Sequence, residues 1–423
     1  QYPKILRKYY ERGKVFTDPT FHPNGNIAEE EIRFNEKDHK WERIDKYYNA
    51  PLFKREAIDE NAIMQGELGD CYFIAALSRI ARQPEIVELL FDKRSRKIQK
   101  EFSGGKKKKI EDLSESINLK CGAVVIYFHA FGRSTPVLID TLIPFRRGTR
   151  KPRFCHPADI KYSPWFCLVE KAYAKLCGSY SKFIGGTLPS AIYSLFGYFP
   201  EHLYTNSVII KRRKEKIVEQ KIKEIKKSRD NSDDSDDDEI DKDRMMREIQ
   251  DPTIDTFKKG EIQYLFGLIM KYQHDNAVIG ASINLNDISE RTSESAKVSE
   301  DELRDSGLVR RHAYLIMKAR REDGHNFICL RNPWGDHEWL GDWSDTSDLW
   351  TPELKRALGV HAKDDGTFWM VDKDFFRYFT CIQVATPINP EYHFKSCTTQ
   401  LVPGPWDGRL PTDSEVHLEQ RKC

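Results

Sequence analysis

The chain has 423 residues, of which 39% are hydrophobic, 12% aromatic and 32% charged, and its formal net charge is +2. This length is enough for at least two hydrophobic cores, and the composition is typical of a soluble globular protein. The nearly balanced charge argues against a general attraction for nucleic acid. No apolar run is long enough to span a bilayer and no apolar signal core follows the N-terminus, so we expect no integral membrane segment.

The nine cysteines are scattered along the chain, form no CxxC pair and are odd in number. This usage argues against a disulfide framework and against a structural zinc site. We therefore expect a cytoplasmic protein that needs neither zinc nor an organic cofactor.

The N-terminal part of the chain is mixed polar and aromatic as far as about residue 60. We interpret it as an arm that wraps the folded core, with Phe16, Phe21 and Trp41 as its aromatic anchors. The arm proper is placed at residues 1–30.

The stretch from Gln65 to Ala76 carries the strongest local signal for chemistry. Its sequence, QGELGDCYFIAA, places Cys71 at the start of an apolar, helix-forming segment, Cys71–Ala81, which continues through Val87, Leu89 and Leu90. At a helix N-terminus, unpaired N–H groups and the helix dipole favour the thiolate form of a cysteine. A side-chain amide donor from Gln65 and the Cys71 N–H can together form an oxyanion hole. The alternative is a buried structural cysteine after a glycine turn.

Two strands and a second helix are predicted after this segment. Residues 123–129 and 136–142 are strand-like and are separated by a short linker, as in a hairpin. The run that begins at Trp165 has apolar residues at helical spacing and is stopped by Gly178. We expect this helix to pack beside the one that begins at Cys71.

Residues 205–256 differ in composition from the segments on either side. Lys and Arg dominate residues 211–229, whereas acidic residues dominate 230–243. Such a block cannot bury enough apolar area to offset the entropy lost on ordering. We interpret it as a basic helix leading into a disordered acidic loop, inserted into a folded domain as a peripheral feature.

The second half of the chain is rich in predicted strands. A helix is predicted over residues 261–272, and strands over residues 277–283, 313–319, 327–331 and 367–371. Short strands joined by short loops are typical of an antiparallel sheet or barrel. Because the first half is rich in helices, we predict an α+β fold with a functional cleft between two unlike parts.

A histidine and an asparagine in the second half can complete a site around Cys71. His312 begins a predicted strand, and Asn332 follows in the sequence RNPWG. A histidine can take the proton of a thiol, and an amide oxygen can hold the opposite ring nitrogen in one tautomer. Trp334 can cover that hydrogen bond from water. A lone histidine at a strand start is more often a core residue. The prediction therefore depends on the joint occurrence of the cysteine, the histidine and the asparagine in these sequence contexts.

Four motifs in this order resemble the protease core of the calpain family. They are QGELGDC ending at Cys71, EKAYAK starting at Glu170, HAY starting at His312, and RNPWGDHEWLGDWSD ending at Asp345. The similarity covers about residues 15–390 apart from the insertion. It implies a papain-like core of two lobes, a helical lobe that carries the cysteine and an antiparallel β-barrel lobe that carries the histidine and asparagine.

The resemblance also implies the domain boundaries. We expect the first subdomain at residues 31–197 and the second at residues 198–388, with the charged insertion at about 205–256. Residues 389–423 resemble a linker and the start of the β-sandwich that usually follows. The chain is therefore consistent with a fragment of a longer protein that has further C-terminal domains.

The family pattern implies site residues at matching positions of this chain. The implied catalytic residues are Cys71, His312, Asn332 and, for the oxyanion hole, Gln65. The implied substrate-binding residues are Gly185, Gly186, Gly197, Arg311 and Trp334. Two positions depart from the pattern, since Tyr72 stands where tryptophan is usual and Arg311 where glycine is usual. The first exchange keeps an aromatic ring, whereas the Arg311 side chain is expected to narrow or charge the adjacent subsites.

Calcium is the cofactor that the resemblance implies, with one site in each lobe that brings the lobes into register. In the first lobe the pattern asks for two acids, but Ala62 and Ser163 stand at these positions. A basic residue of the inter-lobe switch is replaced by Glu60, which cannot pair with an acid across the cleft. We therefore expect the first-lobe site to be lost and the calcium dependence to be less steep than is usual in the family.

The second-lobe calcium site is only partly preserved. The implied ligands are Glu338, Asp345 and Asp365 with the carbonyl of Lys363, whereas another expected acid is replaced by Thr367. Calcium takes about six to eight oxygen ligands, with carboxylates supplying most of the affinity. We expect at most one weak or partial site.

The leading hypothesis is an intracellular cysteine endopeptidase that makes limited cuts in exposed loops of protein substrates. In this hypothesis Cys71 attacks the scissile carbonyl and His312 protonates the leaving amine. One alternative is a catalytically impaired scaffold, or pseudoprotease, which Arg311 keeps open. Another is a papain-like acyl-transferring enzyme such as a transglutaminase, which predicts amine incorporation without peptide cleavage. The spacing of the motifs favours the calpain pattern over the last of these.

Overall fold

The structure is a computed structural model that describes residues 9, 12–21, 37–48, 58–91, 122–130, 133–229, 242–248, 257–284 and 298–386. The chain divides into one unit of residues 1–387 and a second unit of residues 388–423. The second unit, where the start of a β-sandwich is expected, lies outside the described residues. Residues 230–241 of the predicted acidic loop also lie outside them.

Helices and strands alternate through the described part of the chain. Its α-helices are Cys71–Ala81 (α1), Pro84–Leu90 (α2), Trp165–Cys177 (α3), Leu188–Phe196 (α4), Thr205–Arg229 (α5), Lys242–Glu248 (α6), Lys259–His274 (α7), Glu300–Asp305 (α8), Pro352–Leu358 (α9) and Asp372–Tyr378 (α10). Its β-strands are His39–Arg43 (β1), Ile63–Met64 (β2), Ala123–Ala130 (β3), Arg133–Asp140 (β4), Leu142–Arg146 (β5), His156–Pro157 (β6), Phe199–Tyr204 (β7), Val278–Ser282 (β8), Tyr314–Glu322 (β9), His325–Arg331 (β10), Thr367–Val371 (β11) and Cys381–Thr386 (β12). None of the helices described here combines the length and the apolar character needed to cross a membrane.

The largest sheet contains six antiparallel strands in the order β11-β10-β9-β8-β12-β7. Three separate pairs, β1 with β5, β2 with β6 and β3 with β4, lie earlier in the chain. Strands β3 and β4 form the predicted hairpin. The expected barrel would close only if the two edge strands, β7 and β11, paired with each other. Within the described residues each of them pairs on one side only, so the six-stranded sheet is open there.

The central strands bury both faces, which explains why their sequences are nearly continuous apolar runs. In β9, Leu315 and Met317 belong to one hydrophobic core together with residues of α1, α3 and α4. Tyr314 and Ile316 belong to a second core together with residues of α7 and α10. The sheet therefore separates two cores, and the helices of the first half pack on one of its faces.

Helix α1 begins at Cys71 as predicted, and nine of its side chains are buried. The predicted helix-forming segment Cys71–Ala81 is confirmed, whereas its apolar continuation to Leu90 forms a separate helix. Helix α1 ends at Ala81 and a new helix begins at Pro84, because proline suits a first helical turn but disrupts a continuing helix. Helix α3 ends at Cys177 and Gly178 caps it, in agreement with the predicted stop at this glycine.

Two strands of the large sheet, β7 and β12, were not predicted. Ile382 of β12 lies opposite Leu203 of β7 on one side and Ala281 of β8 on the other. These partners are far away along the chain, so no local pattern indicates the pairing. The position of β7 at the edge of the sheet accommodates Pro200, which cannot donate to a strand ladder.

The described part of the N-terminal arm packs against the first half of the chain, with Phe21 in the first core and Phe16 in a small cluster with Ala123 and Leu138. Phe16 and Phe21 are buried as predicted, and Trp41 is partly buried. Lys175 of α3 donates a hydrogen bond to the Asp18 carboxylate at 2.6 Å. Buried rings and one ion pair thus hold this segment in place.

The basic segment of the insertion is helical, as predicted, and its first turns contact α7. Arg213 makes a two-point salt bridge with Glu261, at 2.7 and 2.9 Å. The guanidinium of Arg212 lies over the ring of Tyr264 at 3.8 Å. The start of the insertion is therefore attached to the helix that covers the second core.

Candidate active site

Cys71 is the first residue of α1, and its thiol lies against the start of β9. The backbone N–H of Ala313, the residue after His312, acts to lower the pKa of the Cys71 thiol. Asp70 is the N-cap residue of α1, but its side chain makes no capping hydrogen bond. The N-terminal N–H groups of α1 are therefore not satisfied by that side chain.

His312 and Asn332 meet because they flank one β-hairpin. Strand β9 begins two residues after His312, and β10 ends directly before Asn332. Antiparallel pairing places Arg331 opposite Leu315, which brings both ends to the same edge of the sheet. His312 Nε2 lies 2.7 Å from Asn332 Oδ1, and both residues are buried. Because the amide oxygen only accepts, Nε2 carries the proton and Nδ1 is the basic nitrogen.

Asn332 is held in this orientation by the loop that follows it. Its Nδ2 donates to the carbonyl oxygens of Asp336 at 2.8 Å and His337 at 3.3 Å. Its Oδ1 also accepts from the Trp334 N–H at 3.0 Å, and the Trp334 ring lies 4.4 Å from the His312 ring between centroids. The tryptophan thus packs against the histidine that Asn332 orients.

Burial changes the pKa values of the two candidate reacting groups in opposite directions. Loss of solvent is the largest influence on both, and it raises the pKa of the Cys71 thiol and lowers the pKa of His312 to about 4. The Ala313 N–H acts against the first shift, and the hydrogen bond to Asn332 acts against the second. The described state therefore favours a neutral thiol at Cys71 and a neutral imidazole at His312, rather than the thiolate that a helix N-terminus alone predicts.

Gln65 connects the loop before Cys71 to the second half of the chain. Its backbone N–H donates to the carbonyl of Pro333 at 3.1 Å, and its Nε2 donates to the carbonyl of Leu68 at 2.6 Å. One N–H of the side-chain amide is thereby engaged within the loop. The other N–H of the amide remains for the predicted oxyanion hole.

The three glycines predicted to contact substrate have different surroundings. Gly185 has a φ of 74°, and its N–H donates to the carbonyl of Gly69 at 2.9 Å. A Cβ at Gly186 would lie only 2.5 Å from the Tyr72 ring. Gly197 is the left-handed C-cap of α4. Gly185 and Gly186 therefore contact the segment around Cys71, whereas a helix end accounts for Gly197.

Arg311 has an exposed side chain and a left-handed backbone, with a φ of 51°. Its N–H donates to the carbonyl of Ile283 at 3.1 Å, which holds this loop beside the end of β8. Arg310 forms an ion pair with Glu300, whereas Arg311 forms none within the described residues. An unpaired cation thus stands directly before His312 in a conformation that favours glycine.

Two side chains join the halves of the chain next to the site. Arg331 Nη2 donates to the carbonyl of Ile63 at 3.2 Å, and Arg82 Nη1 donates to the carbonyl of Met317 at 3.0 Å. Glu60 forms an ion pair with Arg82 at 2.8 Å. Burial raises the pKa of Glu60, with Arg82 and Arg331 acting against the shift. Glu60 therefore pairs with a base that itself contacts β9.

The predicted calcium ligands lie in two loops that are hydrogen-bonded to each other. Glu338 Oε1 accepts from the N–H groups of Asp365 at 3.0 Å and Gly366 at 2.8 Å, and Asp345 Oδ2 accepts from the Lys363 N–H at 3.3 Å. Burial, to which neighbouring carboxylates add, raises the pKa of Glu338 to about 7 and of Asp345 to about 6.

These donors are of the oxygen type that calcium prefers, and a cation would relieve the repulsion among them. In the residues that the structure describes, however, no three His, Cys, Asp or Glu side chains are grouped as ligands of one metal ion. The chemical type of the donors fits calcium, and their present hydrogen bonds are to backbone N–H groups.

A contact that was not predicted lies directly behind Cys71. Asp70 and Glu170 are both buried, and their carboxyl groups are hydrogen-bonded to each other. Each residue belongs to one of the four motifs, but the two motifs are far apart in the sequence. The one signal for this contact is that both acids are buried and lie in motifs of the family pattern.

A cysteine at a helix N-terminus and a histidine hydrogen-bonded to an asparagine are features typical of cysteine peptidases. The sequence model of the family described as "Calpain family cysteine protease" matches residues 16–386 of this chain. The chain therefore belongs to the calpain family of cysteine proteases.

Individual calpains are identical to this chain at about a quarter of the aligned positions. Calpain-5 of Mus musculus is 27% identical over 368 residues, which cover 84% of this chain and 47% of that protein. The Calpain-1 catalytic subunit of Bos taurus is 24% identical over 422 residues, covering 96% and 47%. The calpain-type cysteine protease DEK1 of Arabidopsis thaliana is 26% identical over 359 residues, covering 84% and 12%. The chain thus spans about half the length, or less, of these relatives.

Proposed function

We propose that this protein is a cysteine endopeptidase that makes limited cuts in protein substrates with Cys71, His312 and Asn332. The observation that carries the proposal is the 2.7 Å hydrogen bond between His312 Nε2 and Asn332 Oδ1. The N–H of Ala313, the residue after His312, lowers the pKa of the Cys71 thiol, which supports a working pair of cysteine and histidine. Membership of the calpain family supports the same activity.

The proposal includes a papain-like division into two lobes, with residues 31–197 forming the first and residues 198–388 the second. All six strands of the large sheet come from the proposed second lobe, and the three strand pairs come from the first. The loop of Gln65 and the arginines that join the halves would then form the floor and sides of the cleft. Residues 1–30 as an arm, and a further domain after residue 388, are parts of the same proposal.

In the proposed reaction the Cys71 sulfur attacks the scissile carbonyl carbon while its proton moves to Nδ1 of His312. The developing oxyanion accepts hydrogen bonds from the Cys71 N–H and from the second side-chain N–H of Gln65. His312 then gives the proton to the leaving amine, and water hydrolyses the thioester with His312 again acting as the base. Because burial favours the neutral pair, proton transfer accompanies attack rather than preceding it.

The proposed substrates are extended loops of proteins, and nucleic acid is not among the proposed partners. The proposed compartment is the cytoplasm, whose reducing conditions keep a catalytic thiol in its active form. Trp334 and the glycines at 185 and 186 would border the bound backbone.

Labelling by a thiol-directed epoxide inhibitor tests the proposed activity. We expect the inhibitor to attach to Cys71 and to block casein cleavage, and we expect the Cys71→Ala variant to show neither labelling nor cleavage. Cys177→Ala is the matched control, because Cys177 is also partly exposed but lies at the far end of α3. A folded wild-type chain that is neither labelled nor active would contradict the proposal.

A catalytically impaired scaffold is the second candidate function, and the backbone of Arg311 favours it. A left-handed conformation costs an L-residue roughly 1–2 kcal/mol, so Arg311→Gly is expected to raise the free energy of unfolding by about 1 kcal/mol. It is also expected to increase casein turnover, since it removes a side chain beside His312. Urea unfolding and turnover would be measured together.

Asp323→Gly is the control for that experiment, because Asp323 has a φ of 47° in the exposed turn between β9 and β10. It should affect stability similarly and leave turnover unchanged. An Arg311→Gly variant with unchanged stability would refute the strain. If the wild type is inactive and Arg311→Gly makes it active, the result would favour the catalytically impaired scaffold.

We also propose one calcium site, in the second lobe. The residues that would hold the ion are Glu338, Asp345, Asp365 and the carbonyl of Lys363. Bound calcium would supply positive charge that neutralises these carboxylates and ties their two loops together. No first-lobe site is proposed, because the matching positions are a buried alanine and a buried serine, Ala62 and Ser163.

Calorimetric titration with calcium is expected to show at most one weak site, and Asp345→Ala is expected to abolish it. Protons compete for Glu338 and Asp345, whose pKa values are about 7 and about 6, so affinity should fall as the pH drops through this range. Asp348→Ala, at an exposed acid of the same loop, should leave binding unchanged. Two strong sites, or a steep and absolute calcium requirement for cleavage, would contradict this prediction.

A further inference from the structure

Two buried carboxyl groups lie directly behind the proposed nucleophile. Asp70 precedes Cys71 at the start of α1, and Glu170 lies in the second turn of α3. Asp70 is 0% exposed and Glu170 is 2% exposed. Neither carboxyl oxygen of Asp70 accepts a hydrogen bond from an amide, amine or hydroxyl group of the described residues. The hydrogen-bonding contact of Asp70 is the carboxyl group of Glu170.

Two ionised carboxylates cannot hydrogen-bond to each other, because each can only accept. The contact therefore requires a proton on one of the two groups. Glu170 Oε1 accepts from the Cys155 N–H at 3.0 Å, which holds Glu170 in place beside Asp70. A protonated carboxyl group shared between the two side chains satisfies both of them.

No cation among the described residues offsets the charge of this pair. Lys171, the next residue of α3, is instead bonded to the Asp140 carboxylate and to the carbonyl of Leu142. The titratable groups that face the pair are all weak acids. They are Cys71 and Tyr72 of α1, Cys155 before β6, Cys167 of α3 and Tyr180 after α3. Burial raises the pKa values of Cys71, Tyr72, Cys155 and Tyr180, so the shared proton is what limits the charge of the pair.

We propose that Asp70 and Glu170 share one proton and act as positioning residues for Cys71. The shared proton ties the N-terminus of α1 to α3 and limits the negative charge behind the thiol. Release of this proton to solvent would leave two carboxylates in contact inside the protein, which would push α1 away from α3. The inference rests on the proposed role of Cys71 as the nucleophile.

The electrostatics of the site agree with this geometry. Burial raises the pKa of Asp70 well above its usual value and that of Glu170 to about 8, and Asp70 adds to the effect of burial on the pKa of Cys71. A carboxyl group with a pKa raised by folding stabilises the fold at low pH, and this contribution is lost as the pH rises through the folded value. We therefore expect the stability of the chain to decrease as the pH rises from about 4.5, the ordinary pKa of a glutamate, and to level off above about 8.

Two isosteric variants of the full chain test the proposal. In Glu170→Gln the amide donates permanently to an ionised Asp70, and in Asp70→Asn the amide donates permanently to an ionised Glu170. The two readouts are the melting temperature and the rate at which iodoacetamide alkylates Cys71, followed on the Cys71 peptide by mass spectrometry across neutral and alkaline pH. Alkylation needs no proteolysis, so failure of this proposal is distinguishable from failure of the proposed function.

We expect the wild type to show a decrease in melting temperature between about pH 4.5 and 8, and we expect both variants to lose it. Near neutral pH we also expect Cys71 to be alkylated several-fold faster in Asp70→Asn than in Glu170→Gln. The reason is that only Glu170→Gln keeps the Asp70 charge beside the thiol, which raises the pKa of the thiol. A change of one pKa unit changes the thiolate fraction by about tenfold. Glu353→Gln, on the exposed face of α9, should behave like the wild type.

A measurement on the wild type alone keeps the proposal testable if either variant does not fold. The infrared spectrum at neutral pH should contain the band of a buried carboxylic acid, and this band should disappear as the pH rises through about 8. Absence of the band at neutral pH would overturn the proposal. An identical pH dependence of melting and alkylation in the wild type and both amide variants would overturn it as well.

Discussion

Alanine at either Cys71 or His312 is expected to abolish peptide-bond cleavage, with kcat reduced by about 10⁴-fold or more, because nucleophile and base act as one unit. Asn332→Ala is expected to reduce kcat less, since it removes only the 2.7 Å hydrogen bond that orients His312. The measurement is the steady-state rate of casein cleavage by each variant at neutral pH.

Each variant needs evidence that it is folded, such as a wild-type circular dichroism spectrum and a cooperative melting transition. His274→Ala is a suitable control, because His274 is exposed at the end of α7 and should retain full activity. Full activity in the His312→Ala variant would refute the assignment of the base. Activity that survives Cys71→Ala would refute the assignment of the nucleophile.

Lys171→Ala is expected to lower the free energy of unfolding by about 3–5 kcal/mol, because it leaves a buried charge without its partner. Lys171 and Asp140 form an ion pair in which both side chains are 0% exposed. The lysine also donates to the carbonyl of Leu142 at 2.7 Å, and that bond would be lost too. Urea unfolding followed by tryptophan fluorescence would measure the effect.

The size of this effect depends on the charge left behind rather than on lost packing. The double variant Lys171→Met with Asp140→Leu should recover part of the loss, but not all of it, since the backbone N–H groups of Asp18 and Leu142 also bond to Asp140. Lys161→Ala, at an exposed lysine, should change stability by less than about 0.5 kcal/mol. A loss below about 1 kcal/mol in Lys171→Ala would show that the pair contributes little.

Local patterns predicted those elements whose determinants lie within a few residues of each other. Apolar spacing located α3, and Gly178 located its end. The start of α1 at Cys71 followed from the glycines and the aspartate before it. The break before Pro84 was missed because apolar residues keep helical spacing on both sides of it, although the proline itself marks a new first turn.

Elements that depend on distant partners were not predictable in this way. Strands β7 and β12 are short, and each is defined by pairing with residues far away along the chain. The salt bridge of Arg213 with Glu261 likewise joins the charged insertion to a helix beyond it. Composition alone indicates a solvated insertion and carries no information about such an attachment.

By itself, the sequence determined the family and the candidate residues Cys71, His312 and Asn332, because the motifs that identify them are contiguous runs of letters. Only the tertiary structure decided the protonation of the site. It buries Cys71 and His312 enough to favour their neutral forms, and it brings Asp70 into contact with Glu170. The physical reason is that a pKa depends on solvent exposure and on neighbouring charges, and both are set by segments that meet only when the chain folds.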